Sequence, residues 1–309
     1  MNKLSVLLFL IISVSSLDVL FAQNIDTMYI RQYPQKMWIA GYTAFNMIEI
    51  ENEKRTFSPN FPVNAGIGLG IRNTVIDFLA GYSIVPLKGK EYGKTKVTDW
   101  QIHHYGRRFL IDLYYQKYTG FFQENKNELL LYPDLSVQQI GAEGTYIFNS
   151  NKFSAKAAFG QKEQQILSAG SYLLGSGIYW HKLRPDASME PDDSSAFENL
   201  QLGLNFGYAY SWVIDERWLV SGMATVGANF GNEQRALKEN RIKAYPTAFA
   251  RFSTVYKKED WSVSFAMLIN HKSVYPAAGG SPFAINAFNM QITYVKQLQS
   301  IFRKRNRKQ

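Results

Sequence analysis

The residue types that most often do chemistry are sparse in this chain. It has four histidines, His103, His104, His181 and His271, and no cysteine. Disulfides and thiolate metal sites are therefore excluded, as is lipid attachment to a cysteine at a mature N-terminus. His103 and His104 are adjacent, so on a strand they point to opposite faces and cannot share a metal. No His-x-x-Glu-His or similar ligand spacing occurs. A hydrolase would need a serine paired with a histidine that a third polar group orients. Serines are plentiful, but no pairing can be read from the sequence. No catalytic, metal or cofactor-binding residue is assigned, and the chain is read as a non-enzyme without a cofactor.

Two glycine runs, 66–70 (GIGLG) and 175–177 (GSG), invite a phosphate-loop reading. That fold places a helix N-terminus after the glycines. Here strand-like alternation surrounds them, so the reading fails. The acidic loop 184–199 has oxygen ligands but no EF-hand spacing, and reads as a solvated loop. The remaining candidates form a polar set on one side of the inferred strands: Arg72, Asp77, Asp112, Gln116, Glu143, Lys156 and Arg251. Charges of both signs on the inside of a narrow barrel are tolerable only when paired. The expectation is that they pair across a lumen, with Lys156 beside Asp112 and Glu143. The alternative is that they line a gated path for a small polar solute.

The elements that must position this set follow from period-two patterning. In 64–72 (NAGIGLGIR), Ala65, Ile67, Leu69 and Ile71 share one face, while Asn64, Gly66, Gly68, Gly70 and Arg72 share the other. In 200–212, Leu200, Leu202, Leu204, Phe206, Tyr208, Tyr210 and Trp212 alternate with Gln, Gly, Asn, Gly, Ala and Ser. Strands are expected near 36–50, 60–72, 74–85, 97–106, 108–122, 135–149, 152–164, 168–182, 198–213, 217–231, 243–257, 260–272 and 284–298. No helical period of useful length occurs after residue 23. Short turns are expected at 73, 106–108, 149–151, 214–217 and 257–260. Longer loops are expected at 51–59, 86–96, 123–134, 183–197, 232–242 and 273–283.

Strands this long, apolar on one face and small or polar on the other, suit a transmembrane barrel with lipid outside. Aromatics beside the short turns suit a girdle at the membrane boundary. The fold class expected is all-β, a transmembrane antiparallel up-and-down β-barrel. Bacterial barrels use even strand numbers, and the thirteen segments change turn parity between about 152 and 198. One strand there is miscounted, so the total is 12 or 14. Residues 1–22 read as a secretory signal peptide with its apolar core at 4–14, 23–35 as an N-terminal periplasmic segment, 36–298 as the barrel and 299–309 as a basic tail. Five of the chain's positive charges lie in its last seven residues, within a net charge of +9. On an exported protein such a tail gives no reason to expect nucleic acid. The final long strand resembles a C-terminal barrel-recognition strand, except that eleven residues follow it.

The segments 93–122, 132–159 and 167–179 resemble the domain of unknown function 4421 family of Bacteroidetes-type bacteria. The resemblance covers most of the chain after the signal peptide. It implies an outer-membrane β-barrel of unassigned activity and supplies no site residues. Outer-membrane lipid and, during insertion, the barrel-assembly machinery are then the expected partners, with no nucleic acid and no known ligand. The function expected first is a small channel or passive transporter for polar solutes. A closed barrel serving as a surface structural or interaction protein is the alternative, and a membrane-embedded lipid hydrolase trails both.

Overall fold

Residues 25–35, 37–52, 55–60, 62–71, 78–86, 88–125, 128–189, 196–274 and 283–298 are described by the structure, a computed structural model. The strands are β1 (Ile30–Gln32), β2 (Met37–Asn52), β3 (Arg55–Phe57), β4 (Pro62–Ile71), β5 (Phe78–Pro86), β6 (Lys96–Tyr105), β7 (Phe109–Asn125), β8 (Glu128–Ile147), β9 (Glu163–Gln165), β10 (Ala169–Arg184), β11 (Phe197–Val213), β12 (Trp218–Asn232), β13 (Lys243–Lys258), β14 (Trp261–Val274) and β15 (Phe283–Leu298). Twelve of them, all but β1, β3 and β9, follow one another in a single antiparallel sheet. Its order is β5-β4-β2-β15-β14-β13-β12-β11-β10-β8-β7-β6, with β3 on the side of β2. The fold is an antiparallel up-and-down barrel, with twelve strands in its sheet path among the described residues.

The first and last barrel strands meet inside the sheet. β2 pairs with β15 along its whole length, from Met37 opposite Leu298 to Asn52 opposite Phe283. Among the described residues β5 and β6 do not pair with each other. The sheet is instead drawn round by the connections beyond them. Ser58 forms a bridge with Phe122 of β7. The Asn60 amide donates to the carbonyls of Lys88, Gly89 and Gly93, and the Asn60 backbone N–H donates to Thr95 Oγ1 at 2.7 Å. Thr95 in turn donates to the carbonyl of Gly120, which sits at a bulge in β7 with φ of +91°, a conformation glycine adopts without a steric penalty.

The faces follow the alternation. Leu200, Leu202, Leu204, Phe206, Tyr208, Tyr210 and Trp212 all point out of the barrel and are 41–61% exposed. Their neighbours Gln201, Ala209 and Ser211 are buried inside. The inner wall is thinned by glycine where large polar side chains lie flat on it. A Cβ at Gly141 would strike the Tyr114 ring, and one at Gly177 would strike Tyr179. The glycine face of β4 has the same cause at Gly70, where a Cβ would run into the Trp38 indole.

One barrel end carries the short turns 106–108, 214–217 and 259–260 together with both barrel termini; it is called the turn end here. The other, the loop end, carries the remaining connections, and the long β8–β10 connection enters from the turn end. The predicted loop 123–134 is mostly strand, because β7 runs to Asn125 and β8 begins at Glu128.

The main correction concerns 152–164, expected as a strand. It leaves the sheet and folds into the barrel from the turn end as a short helix, Ala155–Ala158, followed by β9. Ser154 caps the helix by accepting from the Ala157 N–H at 3.1 Å, and Ala-Lys-Ala-Ala is a strong helix-forming run. Removing this segment from the strand list leaves twelve and restores the turn parity. The N-terminal segment is drawn in too. β1 pairs antiparallel with β9, and Ile30 and Tyr33 are buried. The proposed signal peptide and the basic tail lie outside the described residues.

Candidate functional site: the barrel interior

The interior is occupied at three levels. At the turn end, Phe153, Ala155 and Ala158 of the inserted segment pack with Leu110, Ile147, Ala169, Leu173, Ala209 and Met223 of the wall. Polar contacts fasten the segment to the opposite side. Ser253 donates to the Ala158 carbonyl at 2.5 Å. The Gln161 amide donates to Ser264 at 2.6 Å, its oxygen accepts from Ser262 at 2.7 Å, and its backbone carbonyl accepts from Gln297 at 3.1 Å. Arg107 pairs with Glu163, which also accepts from Ser154 at 2.7 Å. Both members of this ion pair are largely buried, so each depends on the other.

The middle level holds the charged set. Asp112 on β7 receives the Arg251 guanidinium of β13 at 3.5 Å and the His103 ring of β6. Arg251 is also framed by the rings of Tyr105, Phe159 and Phe249 at 5.3–5.5 Å. Glu143 on β8 accepts from Tyr179 at 2.8 Å and from Asn205 at 3.2 Å. The Lys272 ammonium of β14 crosses the barrel, donating to Tyr114 at 2.5 Å while lying 3.9 Å over the Tyr179 ring. It stands in electrostatic range of both Glu143 and Asp112. Asp99 accepts from Gln116 and Tyr118. The free space left at this level is a cavity of about 70 Å³, bordered by Asp99, Asp112, Glu143, Arg251 and Lys272. That is room for a few water molecules.

At the loop end the interior turns apolar. Ile48, Ile50, Leu135, Val137, Leu183, Val274 and Ile285 meet there beneath Phe57, Phe121 and Tyr132. Asp186 lies in the β10–β11 connection just beyond. It accepts from the Asp134 N–H at 2.9 Å and from the N–H and Oγ of Ser188 at 3.0 and 2.7 Å. Burial opposes its ionisation, but these hydrogen bonds outweigh burial and hold the carboxyl below its ordinary range.

Of the predicted set, the structure brings Asp112, Glu143 and Arg251 into one layer, with Gln116 beside it at Asp99. Arg72 and Asp77 lie outside the described residues. Lys156 sits on the inserted helix and not on a barrel strand, because its segment leaves the sheet. Arg251 stands at Asp112, and Lys272 reaches toward Glu143 and Asp112. Sequence reasoning missed Lys272, Tyr114, Tyr179, Asp99 and His103. Alternation offered a signal for Lys272, which shares the inward register of β14 with Ser262 and Ser264. It offered none for its partners, which come from other strands: Tyr114 of β7, 158 positions away, and Tyr179 of β10. Among the described residues no group of three or more His, Asp or Glu is placed to hold a metal.

The fold and interior define an antiparallel barrel, twelve-stranded among the described residues, with a filled interior and an apolar outer face. The chain belongs to the domain of unknown function family DUF4421, whose model matches residues 24–295. No curated protein matches the sequence. Among solved structures it is similar to a bacterial polysaccharide outer membrane secretin, at 8% identity over 84% of this chain and 97% of that one, with a TM-score of 0.36. It is also similar to the outer membrane channel DcaP of Acinetobacter baumannii, at 10% identity over 89% and 100% of the two chains and a TM-score of 0.25. A third is the toluene transporter TodX of Pseudomonas putida, at 10% identity over 86% and 90%, with a TM-score of 0.23. Scores this low carry no argument about activity.

Proposed function

We propose that the protein spans the outer membrane as a barrel without a standing pore, and acts as a scaffold that presents its loop end to partners. Support for the membrane comes from the outer face. Apolar side chains cover it, and an aromatic row follows the turn end from strand to strand. Trp218 meets Tyr256 at 4.9 Å, Tyr256 meets Trp261 at 5.8 Å, and Trp261 meets Tyr294 at 6.1 Å. Such rows mark a membrane–water boundary.

The single observation that favours a scaffold over an open channel is the filled interior: the inserted segment, the charged layer and the apolar cluster occupy successive levels. The second reading is a gated path for small polar solutes. What favours it is the fastening of the insert, which rests on Ser253, Ser262, Ser264 and Gln297 as well as on apolar packing. Conductance of the purified barrel in planar bilayers separates the two. Silence from protein that shows heat-modifiable folding is the expected result. A steady single-molecule current from the unaltered chain would overturn the scaffold reading.

A further inference from the structure

β2 is unsupported along part of one edge. Its pairing with β4 ends at Ala44, opposite Asn64, and its pairing with β3 begins only at Ile50, opposite Phe57. Among the described residues nothing pairs with 45–49 on that side. A cavity of about 350 Å³ lies there, bordered by Phe45, Met47, Glu49, Ser58, Lys88, Phe122 and Glu124 among others. That volume is in the range of small-molecule sites. Met47 also borders the luminal cavity, so it stands between the two spaces.

The chemistry of the outer cavity is specific. Its walls are Phe45, Met47 and Phe122, and it carries the carboxylates Glu49 and Glu124 against one ammonium, Lys88. In one corner an ammonium is already held. Lys88 Nζ lies 4.3 Å from the Tyr92 ring centre and 4.8 Å from that of Phe122, and it donates to Glu124 at 2.5 Å. Two aromatic faces and a carboxylate are the elements that recognise organic ammonium ions. The second carboxylate, Glu49, accepts only from Ser58 Oγ, at 3.0 Å, among the described contacts. Among the described residues no ion pair forms at Glu49, so its carboxylate is left for a ligand.

We propose that this flank cavity is a binding site for an organic ammonium ion with an apolar body, with Glu49 as the counter-charge and Phe45, Met47 and Phe122 as the apolar seat. The inference does not rest on the scaffold reading, since it concerns the wall and not the lumen. The test uses the full chain folded in non-ionic detergent, with 2-phenylethylammonium as the probe. The uncharged isostere 2-phenylethanol and the anion phenylacetate are the comparisons. The ammonium is expected to bind at least about tenfold more tightly than either comparison, because only it meets Glu49 as a counter-ion. Glu49→Gln, which keeps the shape, should remove that preference, and Met47→Trp, which fills the space, should weaken binding of all three probes. Heat-modifiable migration shows that each variant is folded. Equal affinity for the three probes, or a folded Glu49→Gln protein that keeps the preference, would overturn the proposal.

Discussion

Placing arginine in turn at Leu200, Leu202, Leu204, Phe206, Tyr208, Tyr210 and Trp212 tests what the outer face of β11 touches. These side chains point away from the barrel and are 41–61% exposed, so each replacement leaves the interior untouched. Twelve steps separate Leu200 from Trp212. At about 3.4 Å per residue they span about 41 Å, or about 31 Å in height for a strand tilted by about 40°. The apolar band of an outer membrane is about 25 Å tall. Phe206 then falls at mid-height, and the two ends fall just past the band edges. The cost of arginine should be about 2–4 kcal/mol at Leu204, Phe206 and Tyr208, and about 0–1 kcal/mol at Leu200 and Trp212. Reversible denaturant unfolding of the barrel from lipid vesicles measures each value. On a face bathed by water the same substitutions would stay within about 0.5 kcal/mol of zero. A flat profile of that size would refute the membrane placement, whereas a peak centred on Phe206 supports it.

Three further outcomes follow from the interior and the loops. Gln161→Ala removes the two side-chain hydrogen bonds to Ser262 and Ser264 and leaves buried hydroxyls behind. It should cost about 2–4 kcal/mol in the same unfolding assay, and a loss under about 0.5 kcal/mol would mean the insert is not fastened there. Lys272→Met takes the only ammonium of β14 from between Tyr114, Tyr179 and Glu143, and an uncompensated buried carboxylate should cost about 3–5 kcal/mol; a neutral result would show that Glu143 finds another partner. The lowered pKa of Asp186 means that its contribution is present above the usual aspartate range of about 4 and is lost as the pH falls through its lower folded value. Proteolysis of the β10–β11 connection should therefore accelerate in acid, and Asp186→Asn should flatten that dependence.

Alternation made the strands legible because a wall one residue thick forces it. Each side chain meets either the outside or the interior, and Leu200 to Trp212 against Gln201 to Ser211 records that choice at every step. The same logic located Asp112, Glu143 and Arg251 as inward residues. It could not give their partners, since Lys272 reaches Tyr114 across 158 positions, and only closure of the sheet sets which strands face one another. The insert shows where the pattern misleads. Phe153, Ala155, Ala157 and Phe159 alternate as a strand would, yet Ser154 starts a helix that the barrel surrounds. A segment enclosed on all sides has no single face to advertise, so its period carries no information about its shape. The sequence by itself determined the strands, their faces and the fault in their count. Tertiary structure decided that the faulty segment fills the lumen, because the serines and glutamine that hold it belong to the opposite wall.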